Sequence, residues 1–353
     1  MSSISQLQKY FEGKRLIFPI LLGLAAAFYF FFKDFDPAAY AEVAWGPKVI
    51  FWFVLALIMV GFRLLGYVYR LRILSEQSLS WKKCFQLVVL WEFSSAITPG
   101  IVGGTAAAFI LLAQEKKLGT GRSTAIVLAT SYLDVLFYIL AVPAFLVFTG
   151  LVSQIPTKVG PVGQNFILVY FLISFVILIA WAVLVYIGIF IRPRWVKALT
   201  IGFFKLPFLK RWRHQAKDWG DEIMVAAKQF KLKKRVFWYK AFGATFFSWT
   251  ARFTLVNFLI LAFGTGGAYF LEIFARQLIM WGALLLPLTP GASGLAEMLF
   301  PAFLNEYFAN DQIANSTAVL WRLISYYPYL FLGIIVFPIW IKRILKSKTT
   351  KEV

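Results

Sequence analysis

Apolar runs about as long as a bilayer is thick recur along this chain, and they fix its class. Inside hydrocarbon every backbone N–H and C=O must be satisfied by the protein itself, so spanning segments are helices or closed barrels. Runs near 20 residues suit the helix. Candidate spans cover residues 16–32, 47–69, 123–152, 166–191, 237–263 and 315–341. Only 15% of the 353 residues are charged, against about 25% in a soluble domain. The chain therefore reads as an all-α polytopic membrane protein. Its first apolar run follows Lys14 and Arg15 and has no small-residue cleavage pattern behind it. It reads as a retained span, not a signal peptide.

Two further apolar regions do not fit a single span. Residues 84–113 are cut at Pro99-Gly100, and 268–304 at Pro290-Gly291. Proline removes a backbone donor and holds the preceding residue extended, while glycine permits a reversal. Each region is expected to form a broken, re-entrant helical hairpin beside about six full spans.

Loop charges orient these pieces. Lys9, Lys14 and Arg15 precede the first span, and the next loop is acidic, with Asp34, Asp36 and Glu42. Arg70, Arg72, Lys82 and Lys83 precede the first broken region, and Lys116, Lys117 and Arg122 follow it. Both flanks are basic, which fits a hairpin dipping in from the cytoplasm and returning there. The loop 192–236 is basic as well, whereas the second broken region lies between the uncharged "GTGGAY" and an acidic stretch with Glu306 and Asp311. That hairpin is expected to dip from outside. Both termini would be cytoplasmic.

The breaks also match in sequence. Thr98-Pro99-Gly100 with Gly103 corresponds to Thr289-Pro290-Gly291 with Gly294, and the two sets are 191 residues apart. The same offset carries the span before the first break onto 237–263, and the span after it onto the last. The chain is thus expected to be one transmembrane domain, 1–353. Its repeat halves, about 47–152 and 237–343, are joined by a span and the basic cytoplasmic loop 192–236. Opposite loop charges make this an inverted repeat, an arrangement found in secondary transporters.

Ionisable side chains at membrane depth are costly and tend to face a cavity or each other. Glu297 reads as a proton carrier or headgroup partner, or else as an ion-pair partner of Arg322 or Arg276. Arg322 is suited to a bidentate phosphate contact. Asp134, Glu92 and Arg252 could each be pore residues or halves of structural pairs. Snorkelling to the interface accounts for Arg276 and Arg63. The half-helices after Pro99 and Pro290 begin with unpaired N–H groups, with Thr98 and Thr289 placed as N-caps. Such ends bind phosphate or carboxylate.

Net charge is +20, from 36 Lys and Arg against 16 Asp and Glu. In a membrane protein this reads as orientation and contact with anionic headgroups, not nucleic acid. The segment "KLKKRVFWYK", 231–240, reads as an interfacial anchor, and 195–230 as room for an amphipathic surface helix. Cys84 and His214 are each alone, so no disulfide or metal cluster is expected, and no cofactor.

The "TPG" break, the Asp of "SYLDVL", "PLTPGASGLAE" and "WRLISYY" together resemble the transmembrane region of lysylphosphatidylglycerol synthases, over roughly 63–342. The resemblance implies a flippase-like bacterial inner-membrane protein acting on phospholipid, possible as a homo-oligomer and beside a separate lipid-modifying enzyme. The family often has Arg three residues before the Asp of the first half, where this chain has Ser131. The 191 offset sets Ser131 against Arg322, so a symmetric arginine pair is absent there. The soluble aminoacyl-transfer domain of full synthases is expected to be missing.

The expected function is a flippase or scramblase for a phospholipid or other lipid-linked anionic headgroup. The residues expected to carry it are Thr98, Pro99, Gly100, Gly103, Asp134, Arg252, Thr289, Pro290, Gly291, Gly294, Glu297 and Arg322. The alternative is an ion-coupled transporter of a small soluble anion. GxxxxGK[ST], HExxH and GxSxG do not occur, so neither ATP drive nor an enzyme is expected.

Overall fold

The computed structural model describes residues 45–98, 100–192, 213–265, 269–284 and 294–349, with isolated positions besides. The expected first span, 16–32, lies outside the described residues, as do Pro99, Thr289, Pro290 and Gly291. Eleven helices account for nearly all the rest. They are α1 (Pro47–Leu74), α2 (Trp81–Ile97), α3 (Gly100–Ala113), α4 (Gly119–Thr149), α5 (Gln164–Tyr186, continued by a wider turn Ile187–Ile191), α6 (Arg213–Lys231), α7 (Arg235–Phe263), α8 (Phe270–Ala283), α9 (Leu295–Leu304), α10 (Asp311–Ser325) and α11 (Tyr327–Thr349). One two-residue ladder pairs Lys158–Val159 with Val162–Gly163.

Five stretches are long and apolar enough to cross a membrane: α1, α4, α5 with its extension, α7, and α10 with α11. These are the five expected spans that fall among the described residues. The chain is an integral membrane protein of the all-α class. α7 is the most enclosed of the five spans, and α1 and α5 the least. The bare faces carry apolar side chains, such as Phe51, Val54 and Ile58 on α1 and Val169, Ile173 and Val176 on α5. Exposed side chains of this kind suit lipid contact.

The central feature is the α1–α7 pair. These helices contact each other along their length and run antiparallel: Trp52 meets Phe258 (ring centroids 5.5 Å apart), Phe62 meets Phe247 (5.4 Å), and Arg70 reaches Thr245 (3.1 Å). Close approach is possible because position 66 is glycine. A Cβ there would lie 2.1 Å from Ser248 Oγ and 3.0 Å from the Ala244 carbonyl oxygen.

The two broken regions are pairs of short helices. α2 has 17 residues and α3 has 14; α8 has 14 and α9 has 10. At 1.5 Å per residue none exceeds about 26 Å, short of a hydrocarbon core of roughly 30 Å. α2 ends where Thr98, the residue before Pro99, is held extended (φ −105°, ψ 142°). α3 folds back on α2, where a Cβ at Gly104 would meet Ser95 Oγ at 2.1 Å. In the second region Ala292 (φ 56°) and Gly294 (φ 85°) take left-handed backbone before α9 begins. Glycine adopts that region without strain, and alanine does not.

Two helix contacts hold the short helices against the longer ones. α2 packs on α11, with Phe93 against Gly333. α8 packs on α4, where Tyr138 Oη donates to the Leu278 carbonyl at 2.6 Å and the Phe145 and Phe274 rings stack at 4.2 Å.

Two expectations need correction, and one is met with an addition. The last span is not one helix: it breaks at Tyr326 (φ −122°, ψ −53°), two residues ahead of Pro328. The missing proline N–H and its ring's crowding of the preceding turn account for the break. The amphipathic helix expected within 195–230 is α6, which buries Ile223, Ala226, Ala227 and Phe230 at helical spacing and packs on α4. Its Glu222 carboxylate accepts from the Gly121 N–H at 2.7 Å, so α6 is fixed to the bundle and not only to headgroups. Finally, Arg70 is not a loop charge. It is 5% exposed and sits inside the bundle.

Candidate functional site

Among the described residues, three linked groups of side chains make up the polar interior beside the breaks; Glu115, buried and paired with Lys83 and Arg343, lies apart from them. The first starts at the turn into α9. Glu297 is the third residue of that helix, so one carboxylate oxygen reaches back to accept from the Gly294 N–H at 2.7 Å. The other accepts from Arg322 Nε at 3.0 Å. Both side chains are nearly enclosed, at 8% and 9% exposure. The Arg322 guanidinium lies over the Tyr326 ring, 3.8 Å from its centroid. Tyr326 Oη in turn donates to the Ala96 carbonyl at 2.9 Å, two residues before Thr98. The break in the last span thus joins the end of α2 to the start of α9.

The second group lies between α1 and α7. Arg63 pairs with Glu92 and donates to the Ser325 carbonyl at 3.1 Å. Its guanidinium lies 5.1 Å from the Tyr329 ring and 5.6 Å from the Tyr67 ring. Arg252 enters from α7. It lies over Trp249 (5.1 Å) and Trp281 (5.4 Å), within the electrostatic field of Arg63, Glu92 and Tyr67. Arg252 makes no ion pair among the described residues. Two arginines therefore share one carboxylate.

The third group is Arg70 with Asp134. Arg70 Nη1 and Nη2 approach the two oxygens of Asp134, and Nη1 also donates to Thr245 Oγ1 at 3.1 Å. Trp249 Nε1 donates to Asp134 at 2.6 Å. Trp249 then stands edge-on to Trp281 at 4.6 Å, with Arg252 over both rings. The second and third groups are thereby linked through Trp249. The first and second are linked through Ser325 and Tyr326, adjacent in the chain.

Charge bookkeeping separates these groups. Glu297 with Arg322 and Asp134 with Arg70 are each neutral. Arg63, Arg252 and Glu92 together carry one excess positive charge. Arg63 is buried and Arg252 half-buried, so water screens part of this excess; at full burial an uncompensated cation costs about 3–5 kcal/mol. An anion entering this region would remove that cost. Cation–π contacts with two tryptophans offset part of it, about 0.5–2 kcal/mol each.

The sequence-derived residues fall into place unevenly. Asp134, Arg252, Gly294, Glu297 and Arg322 all belong to this interior network. Glu297 pairs with Arg322 and not with Arg276. Arg276 instead meets Glu306 at 2.6 Å, the Phe303 carbonyl at 2.9 Å and the Tyr307 ring at 5.3 Å. Arg63 does not snorkel; it is 5% exposed and paired. Thr98 is the C-cap residue of α2, and its hydroxyl donates back to the Ser94 carbonyl at 2.6 Å. Gly100 opens α3 and Gly103 lies in its first turn. At the start of α9 an anion is already in place, the protein's own Glu297 carboxylate.

Sequence reasoning missed Arg70, Tyr67, Trp249, Trp281, Tyr326 and Tyr329. Most had a helical signal. Arg63, Tyr67 and Arg70 follow at steps of four and three, Trp249 and Arg252 at three, Arg322 and Tyr326 at four, the spacings that share one helix face. Trp281 and Tyr329 come from other helices and had no such signal. No group of three metal-ligating side chains occurs among the described residues.

Known proteins agree with this picture of a membrane domain. The family described as the lysylphosphatidylglycerol synthase TM region matches residues 16–333. A UPF0104 membrane protein of Archaeoglobus fulgidus is 27% identical over 313 residues, covering 84% of this chain and 89% of that protein. With a match over most of its length, this chain belongs to the lysylphosphatidylglycerol synthase transmembrane-region family.

Proposed function

We propose that the protein is a lipid flippase or scramblase, moving a phospholipid or other lipid-linked anionic headgroup across the bilayer. The observation that carries this reading is the excess positive charge at Arg63, Arg252 and Glu92, inside a chain of polar groups extending from Asp134 to Glu297. Arg252 is the primary headgroup ligand, since its guanidinium is flanked by rings and has no carboxylate of its own. Arg63 supplies the second positive charge. Arg322 and Glu297 form a charged pair that a zwitterionic or lysyl headgroup can open, each partner taking the opposite charge of the ligand.

The architecture is read as an inverted repeat. Supporting this, helices 191 residues apart, α1 and α7, pack antiparallel, and α2 on α11 answers α8 on α4. The short arms of the two broken regions are read as re-entrant hairpins from opposite sides, with an inner-membrane location and cytoplasmic termini following from the loop charges. The protein is read as a transporter and not an enzyme, passive or ion-coupled.

The same excess charge would also attract a small soluble anion, the second reading. Proteoliposomes separate the two. Fluorescent phosphatidylglycerol and its lysyl derivative are followed between leaflets, beside uptake of inorganic phosphate. Faster lipid transfer with protein than in empty vesicles supports the lipid reading. Phosphate uptake with no lipid transfer replaces it with the second.

A further inference from the structure

On the outer face of the α1–α7 pair lies an open groove of about 410 Å³, apart from the interior network. Gly66 and Ala244 form its floor, where the helices approach most closely. Tyr69 and Phe247, both exposed, form its walls. The geometry points to a binding site for an anionic phospholipid here, with one acyl chain in the groove and the phosphodiester on Lys240.

Three observations carry it. The lining is almost wholly apolar, which suits a methylene chain leaving water. Its one charged lining residue is the exposed Lys240, near the start of α7. Tyr69 stacks on Trp81 at 6.1 Å, and Arg72 lies 4.8 Å from the Trp81 ring. The groove thus ends in the aromatic and basic residues that sit at headgroup level, where a phosphate meets complementary charge.

The third observation is Gly243. It lies within α7, exposed and on the groove, and a Cβ there would meet nothing within 4 Å. Packing therefore does not require glycine, although glycine inside a helix is destabilising relative to alanine. Its missing side chain keeps the groove open. Gly66, by contrast, is required by the contact with α7.

This site is distinct from the proposed transport path and stands or falls without it. Purified protein is mixed in detergent with equal phosphatidylglycerol and phosphatidylcholine, and retained lipid is counted by native mass spectrometry. Wild type is expected to retain phosphatidylglycerol preferentially. Gly243→Leu fills the groove and is expected to lose that lipid. Gly61→Leu, which adds the same side chain to an exposed glycine of α1 outside the groove, is expected to retain it. Lys240→Gln is expected to lower the preference for phosphatidylglycerol about fivefold, the loss of one near-surface lysine contact. A photoreactive acyl chain should label 65–69 and 240–247 in the unaltered protein. Equal retention by wild type and Gly243→Leu, no preference between the two lipids in wild type, or labelling confined to other segments overturns the assignment.

Discussion

Arg322 and Glu297 are joined by a hydrogen-bonded ion pair of 3.0 Å, and the second oxygen of the same carboxylate holds the Gly294 N–H at 2.7 Å. One side chain thus neutralises an arginine of the last span and closes the turn into α9. This couples the start of α9 to the end of α10, beside Tyr326.

Glu297→Gln is expected to destabilise the protein by about 3–5 kcal/mol, because it leaves Arg322 enclosed without its counter-charge. Glu297→Gln with Arg322→Gln should recover much of that loss. Thermal unfolding in detergent checks both. A double variant less stable than either single one would contradict the pairing.

Asp134→Asn is expected to cost a similar amount, about 3–5 kcal/mol, since Arg70 then lacks a carboxylate. The Asn oxygen can still accept from Trp249, so Asp134→Leu should be worse by about 1–3 kcal/mol. Chemical unfolding of the two variants side by side gives the difference.

Arg252→Gln should separate stability from function. It removes an unpaired cation beside Arg63, so the unfolding midpoint is expected to stay level or rise. Glu92→Gln leaves two arginines unneutralised and is expected to lower the midpoint, with a stability loss of about 3–5 kcal/mol. Midpoints that fall equally in both variants would show that Arg252 has a structural counter-charge.

Gly66→Ala is expected to cost about 1–3 kcal/mol, because its Cβ would press on Ser248 and the Ala244 backbone. Gly61→Ala on the same helix meets nothing within 4 Å and should be neutral or stabilising by about 0.5–1 kcal/mol. Their unfolding midpoints should therefore shift in different directions.

Much of the fold was legible in sequence because bilayer thickness imposes a length on every span. α5 with its extension, and α7, begin and end within two residues of expectation. The break at Thr98 was legible because Pro99 constrains its neighbour whatever the context. The break at Tyr326 was not: the same apolar run also holds Pro338, which α11 accommodates without ending, and proline near a helix start is compatible with continuity. The site was half legible. An ionisable residue at membrane depth announces itself, so Asp134, Glu297, Arg322 and Arg252 stood out. Their partners did not, since the Glu92–Arg63 and Asp134–Arg70 pairs join residues 29 and 64 positions apart. Arg70 misled because it lies near the end of α1, close to Arg72 and to Lys82 and Lys83 at the start of α2, and only the packing of α4 and α7 on α1 gives it inward partners, Asp134 and Thr245.

The most direct test of the account is the rate at which labelled phosphatidylglycerol changes leaflet in proteoliposomes containing wild type or Arg252→Gln, at matched protein content and matched unfolding midpoint. The account predicts transfer by wild type well above empty vesicles and a loss of most of that excess in Arg252→Gln. Equal excess transfer by the two proteins would contradict the claim that the headgroup is held at the shared-carboxylate arginine pair.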